Sequence, residues 1–229
     1  MAGIDPADRG IIERAMPYTM TGVARLEALV RAVRYTHARG IPGAFVECGV
    51  WRGGSVLAII GTLQDEAVDD RDIYLFDTFD GMTRPTEHDV SDYNPPALEE
   101  WEQARQRDLH PWAEHFGPAS FTEESVRQTI LATGYPEARV HFVRGRVEDT
   151  LPGQAPPVVG LLRLDTDWYE STAHELSHLY PRLSPGGVLV IDDYGHWQGC
   201  RRAVDEYFAG REPLLLQRVD YTCRVAVKQ

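Results

Sequence analysis

Apolar residues recur along this chain in two alternating rhythms. From Thr21 to His37, Val23, Leu26, Leu29, Val30 and Val33 fall on one face of a helix, which Gly40 stops. Ala44-Phe45-Val46 is instead a short continuous apolar run, the pattern of a buried strand. It passes through Glu47-Cys48-Gly49 and Arg52-Gly53-Gly54-Ser55 into a helix over Val56 to Leu63. The order then repeats, with strands predicted over Ile73–Phe76, Val140–Val143, Val158–Leu164 and Gly187–Ile191. Helices are predicted over Thr122–Thr133, opened by a threonine cap, over Trp168–Leu183, and near Cys200–Phe208. Two apolar runs, Leu214–Leu216 and Cys223–Val227, close the pattern around a turn at Asp220.

Strands that alternate with helices predict a doubly wound, Rossmann-like α/β sheet, mostly parallel, with an antiparallel last strand from the closing pair of runs. No Ser/Gly linker divides residues 1–229, so the chain reads as one domain. Residues 80–118 break the rhythm with a long polar stretch that holds Pro85, Pro95, Pro96 and a charged segment, Glu99 to Arg107, expected to form a short helix. A segment of that length reads equally as a lid over a site and as a surface insertion without a role. In such a sheet ligands bind outside the carboxyl ends of the strands, where Glu47, Asp77, Asp165, Asp192 and Asp193 all fall.

Composition narrows the picture. Hydrophobic residues make up 43% and charged residues 25%, a mix that buries a sizeable core. A formal net charge of −12 and the lack of any Lys/Arg-rich run argue against nucleic acid as a partner. The first residues mix acids and bases without the layout of a signal peptide, and no apolar run approaches the ~18 residues of a membrane helix. The chain therefore reads as cytoplasmic, with no membrane partner. Cys48, Cys200 and Cys223 match neither a zinc site nor a disulfide framework and are expected to be reduced packing residues.

Three features could carry chemistry. The glycine turn after Glu47 lets backbone approach a ligand closely, although it lacks the full G-x-G-x-x-G spacing of a dinucleotide site. Asp77, at the end of the neighbouring strand, can accept both hydroxyl hydrogens of a ribose, so turn and acid together indicate a nucleoside-containing cofactor. Asp165 and the pair Asp192-Asp193 sit on the ends of two strands expected to be adjacent. Clustered carboxylates repel one another unless protons or a cation intervene, and an all-oxygen set favours magnesium, manganese or calcium over zinc. The unperturbed pKa of a histidine lies close to neutrality, which makes His196 a candidate base, against the plainer reading of a solvated loop histidine. Trp168, Tyr169 and Trp197 flank the acids and could wall a pocket or pack the core.

These residues form a recognisable set. Phe45-Val46-Glu47-Cys48-Gly49-Val50-Trp51-Arg52-Gly53-Gly54-Ser55, Phe76-Asp77-Thr78-Phe79-Asp80-Gly81, Leu164-Asp165-Thr166-Asp167-Trp168-Tyr169-Glu170-Ser171-Thr172, and the run from Tyr180 through Gly187 to Ile191-Asp192-Asp193-Tyr194 closely resemble the macrocin O-methyltransferase family. The likeness spans about Tyr18 to Phe208. It implies a class I methyltransferase fold and S-adenosylmethionine bound at the glycine turn. It also implies Mg2+ on Asp165, Asp192 and Asp193, and a deoxysugar hydroxyl of a natural product as methyl acceptor. Carried over by position, Glu47, Gly49 and Ser55 would contact the methionine part and Asp77 the ribose. Thr78, Phe79, Gly145 and Arg146 would adjoin the adenosine, and Thr19 and Met20 would cover the cofactor. Asp165 or His196 would take the proton, with Asp165 favoured because the family's set includes it. The shorter lead and Gly195-His196-Trp197-Gln198 depart from the antibiotic-sugar enzymes, in regions that shape the acceptor pocket. A catechol-type acceptor and a non-catalytic, cofactor-binding regulatory protein stand as alternatives. Fold analogy leaves open a homo-oligomer.

Overall fold

Strands β1 (Ala44–Cys48), β2 (Ile73–Asp77), β3 (Val140–Arg144), β4 (Val159–Leu164), β5 (Leu183–Ile191), β6 (Gln217–Arg218) and β7 (Arg224–Val227) hydrogen-bond into one sheet in the order β3-β2-β1-β4-β5-β7-β6. This is a computed structural model, which describes residues 3–229. β1 to β5 run parallel; β7 is antiparallel to both β5 and β6. Every residue of β1 and β4 is buried, and both are apolar except for one charged residue each, Glu47 and Arg163. The alternation of a strand still divides the core in two. In β5, Val188 and Val190 join one apolar cluster and Leu189 and Ile191 the other.

The first cluster lies under α1 (Pro6–Ala15), α2 (Val23–Ala38) and α3 (Gly54–Asp65), and takes Val126 and Ile130 from a later helix over Glu123–Leu131. The second lies under two helices, Tyr169–Leu179 and Gln198–Phe208. The stretch between β2 and β3 holds α4 (Ala97–Gln106), α5 (Ala113–Phe116) and the Glu123–Leu131 helix, α6. A short α7 (Val147–Thr150) follows β3, and the two helices over the second cluster are α8 and α9.

Three expectations change. α1 has no counterpart in the sequence reading, although Asp5 accepts from the Ala7 N–H and Pro6 stands at the first helical position. α8 ends at Leu179 and not Leu183, and β5 begins at Leu183 and not Gly187. Leu183 pairs with Val159 and Val188 with Leu161, so Ser184-Pro185-Gly186-Gly187 is absorbed as an irregularity within the strand. The run Leu214–Leu216 forms no strand; pairing with β7 starts at Gln217, and Leu215 is exposed.

Residues 80–118 are anchored to the rest of the chain at several points. Buried Asp89 accepts from the Tyr169 N–H at 2.7 Å, which places its carboxylate at the start of α8. The Trp168 indole N–H donates to the Thr83 carbonyl at 3.0 Å. Four tryptophans, Trp101, Trp112, Trp168 and Trp197, run in a row from α4 to the start of α9 with successive ring centroids 6.1, 5.9 and 4.9 Å apart.

Candidate active site

The carboxyl ends of β1 to β5 open into a cavity of about 460 Å3. At one end lies the turn after β1. Gly49 has φ +83°, and a Cβ there would lie 2.0 Å from the Asp165 carbonyl oxygen, so only glycine lets the turn cross the neighbouring strand end. Asp77 holds this turn in place. Its Oδ2 accepts from the Val50 and Trp51 N–H groups at 2.6 and 3.0 Å, and its Oδ1 from the Phe79 N–H at 2.7 Å. Burial pushes the Asp77 carboxyl up, and these backbone donors oppose the shift. A carboxylate has about four lone-pair sites, so roughly one remains for a ligand.

Thr19, Met20, Gly49, Ser55, Asp77, Thr78, Gly145 and Arg146 all line this cavity. Two residues expected beside the cofactor do not. The Phe79 ring is buried in the first apolar cluster, 6.3 Å from the Phe142 ring centroid, because its positive φ of 49° turns it inward. Glu47 is buried beneath the turn, where the Arg163 guanidinium donates to its Oε1 at 2.7 Å and its Oε2 has no partner.

At the other end Asp165, Asp192 and Asp193 each offer an oxygen within 4.8 Å of the others. Adjacent strands β4 and β5 produce this meeting, since Leu164 pairs with Ile191 and both chains turn outward at the next residue. Arg163, buried one residue before the carboxyl end of β4, reaches Asp165 at 2.7 Å and Asp192 at 2.9 Å. Its second partner set, Glu47 and the Thr21 hydroxyl, makes it the electrostatic pivot between the two ends of the cavity. Arg25 on α2 also pairs with Asp192, and with Asp220 at 3.2 Å.

Two guanidinium groups do not balance this cluster. Asp167, also on the cavity wall, adds a fourth acid; its N–H donates to Asp193 Oδ2 at 3.3 Å and its Oδ1 accepts from the Trp197 indole at 2.8 Å. Burial, then the charge of Asp192, pushes the Asp165 carboxyl up to about 7 against the pull of Arg163 and Arg25. Burial and the charge of Asp165 carry Asp167 up to about 8, and burial with Asp167 and Asp165 lifts Asp193 well above the carboxylate range. Hard oxygen donors, crowded and short of positive charge, fit a divalent cation such as magnesium.

His196 reaches the cavity but stands between Asn94 and Tyr221, with a hydrogen bond at each ring nitrogen. The sequence reading missed Arg25, Arg163 and Asp167. A charged residue inside the apolar run Val158–Leu164 was a signal for Arg163, since a buried arginine needs acidic partners. Nothing local marks Arg25, whose partner Asp192 is 167 residues away.

A sheet in this order with an antiparallel β7, a glycine turn after β1 and an acid closing β2 defines a methyltransferase of the S-adenosylmethionine-dependent class. The chain belongs to the macrocin O-methyltransferase family, whose sequence profile matches residues 8–227. It is an O-methyltransferase like its relatives. It is 37% identical, over 90% of its length and 74% of the relative's, to the 8-demethyl-8-(2,3-dimethoxy-alpha-L-rhamnosyl)-tetracenomycin-C 4'-O-methyltransferase of Streptomyces olivaceus. It is 34% identical, over 85% of its length and 69% of the relative's, to the demethyldecarbamoylnovobiocin O-methyltransferase of Streptomyces niveus. The solved structure of the O-methyltransferase NovP superposes with a TM-score of 0.74 at 31% identity, covering 92% of this chain and 82% of that one. The calicheamicin methyltransferase CalS11 shares the fold, with a TM-score of 0.61 at 20% identity over 97% and 93% of the two chains. Among the described residues no helix is long and apolar enough to cross a membrane.

Proposed function

We propose that this enzyme transfers the methyl group of S-adenosylmethionine to a sugar hydroxyl of a glycosylated natural product, with Mg2+ held by Asp165, Asp192 and Asp193. The observation that carries the proposal is the meeting of three carboxylates, within 4.8 Å of one another, in the same cavity as the glycine turn and Asp77. The relatives' names, which specify sugar-bearing antibiotics, support the acceptor class. Bound there, the cation would supply the Lewis-acid charge that eases ionisation of a nearby hydroxyl.

The chain's own groups do the rest. The turn at Gly49 and the Asp77 carboxylate hold the cofactor, with Thr19, Met20, Gly145 and Arg146 in the same cavity wall. Asp165 takes the proton of the acceptor hydroxyl. It keeps 26% of its side chain exposed, whereas Asp192 is buried between two arginines. The oxygen then attacks the sulfonium methyl in line; the C–O bond forms as the C–S bond breaks, and its electron pair leaves with S-adenosylhomocysteine. Holding both reactants in one cavity supplies much of the acceleration.

The test is release of S-adenosylhomocysteine, followed by mass spectrometry, from a panel of deoxysugar glycosides and catechols with magnesium or with chelator. Magnesium-dependent release with a glycoside is expected. Release that survives chelation would remove the cation, and release with catechols alone would replace the acceptor class.

A further inference from the structure

The three-acid end of the cavity has a wall assembled from three distant parts of the chain: Asn94 in the 80–118 stretch, backed from outside by Tyr93, His196 after β5, and Tyr221 between β6 and β7. Gly195 sets their spacing. Its N–H donates to the Thr222 carbonyl at 2.8 Å, and a Cβ on it would sit 1.8 Å from the Tyr221 carbonyl oxygen, so the turn after Asp193 presses against the other loop as only glycine allows. The next residue, His196, is thereby delivered beside Tyr221.

Its imidazole is fully engaged. Nε2–H donates to Asn94 Oδ1 at 2.8 Å, and Nδ1 accepts from the Tyr221 hydroxyl at 3.0 Å. The Tyr93 ring stacks on it from outside, with centroids 5.4 Å apart and planes 20° from parallel. A neutral imidazole has one proton and one ring lone pair to offer, and here both are spent on the wall. A base needs a free lone pair within reach of the reacting hydroxyl, so the geometry that leaves Asp165 open leaves His196 closed.

We propose that His196 is a specificity-determining positioning residue, clasping Asn94 to Tyr221 so that the rim they form decides which acceptors reach the three acids. This rests on the reading that the acceptor enters at the three-acid end. The rim is made of aromatic faces and an amide. Arg25 is the one cation among the described residues lining this end, and Asp192 and Asp220 both hold it. Such a rim fits an acceptor whose sugar carries a neutral, flat, apolar group, and it offers no free cation to a phosphate.

The clasp is tested on the full chain with His196→Ala, Asn94→Ala, the double variant and His196→Gln, whose amide can still donate to Asn94. Amide hydrogen exchange over residues 90–94 is expected to quicken by roughly tenfold in either alanine variant, the loss of about one hydrogen bond, and no further in the double variant. His196→Gln restores most of the protection, and S-adenosylmethionine affinity by calorimetry stays within about twofold throughout. With demethyldecarbamoylnovobiocin as a large probe and methyl α-L-rhamnopyranoside as a small one, KM for the large probe rises roughly tenfold while kcat changes little. Preference for the large probe over the small one falls by a similar factor. Unchanged exchange in both alanine variants overturns the clasp. A kcat loss of about 100-fold or more in His196→Ala, with Asn94→Ala like the parent, makes His196 the base instead. If the parent enzyme turns over neither probe, the acceptor reading fails, while the exchange experiment still decides for or against the clasp.

Discussion

At the glycine-turn end of the cavity, Asp77 is held by three backbone N–H groups, those of Val50 and Trp51 in the turn after β1 and that of Phe79 two residues on. At the three-acid end, Asp192 is held by two side chains, Arg25 and Arg163, from α2 and β4. Backbone donors are fixed dipoles that come with the fold. Guanidinium groups carry full charge, and each compensates several acids at once. One end therefore tolerates a local change as a local loss, while at the other end a single substitution leaves several buried charges unbalanced.

The sharpest test of that contrast is Asp165→Asn. Turnover should fall by about 10^2–10^4-fold, the scale of a lost general base, while S-adenosylmethionine affinity measured by calorimetry holds. Retained turnover would end both the base and the cation roles of Asp165. Arg163→Met should then show the shared-charge property directly. It strands Glu47 and Asp165 and leaves Asp192 with Arg25 alone, and unfolding by urea should report a loss of about 3–5 kcal/mol. Adding Glu47→Gln should recover part of it, since one stranded acid is removed.

Asp77→Asn probes the other end with a smaller expected effect. One of the two oxygens becomes a donor facing N–H groups, so cofactor affinity should weaken by roughly 10- to 100-fold with kcat at saturating cofactor little changed. A collapse of stability as large as that of Arg163→Met would erase the difference between the two ends.

The smallest effect belongs to Glu175, buried on α8 below the junction of the two ends. The Thr166 hydroxyl donates to its Oε1 at 2.9 Å, and its Oε2 has no partner. Burial holds this carboxyl well above its ordinary value of 4.5, so the folded chain keeps a proton that the unfolded chain sheds above that pH. Its contribution to stability is therefore fully present below the ordinary value and declines as pH rises. Glu175→Gln, which does not titrate, should be more stable than the parent by about 1–3 kcal/mol near pH 8, with the gain gone near pH 4.5. Denaturant midpoints at the two pH values measure it, and a gain that grows toward acid would reverse the assignment.

The two ends also differ in how far they could be read in advance. Glu47 through Ser55, and Asp77, are contiguous motifs at strand ends, and the alternation of strands and helices places them together without any knowledge of long-range contacts. The three acids were legible for the same reason. Arg25 was not, because α2 shows nothing at that position but an ordinary helical arginine. His196 was visible as a residue, but its bond to Asn94 was not, since that partner lies 102 residues away in a segment with no periodic pattern. Glu47 was read as a cofactor contact because its motif position is exposed to inference, while its pairing with Arg163, 116 residues on, is not. The irregularity in β5 was hidden because Pro185-Gly186-Gly187 signals a loop, and only pairing across to β4 carries the strand through it.

Tyr221 and Thr222 stand in the wall of the three-acid end, the proposed acceptor end, and the Thr222 hydroxyl donates to the Asp192 carbonyl at 2.6 Å. During synthesis this gives the two ends different birthdays. The glycine-turn end has all its residues once Arg146 has emerged, whereas the acceptor end waits for Thr222, a delay on the order of 4–15 s at ~5–20 residues per second. A nascent chain would hold the pieces of a cofactor site before it could hold anything to methylate, and a bound cofactor could act as an early scaffold for the strands that arrive later.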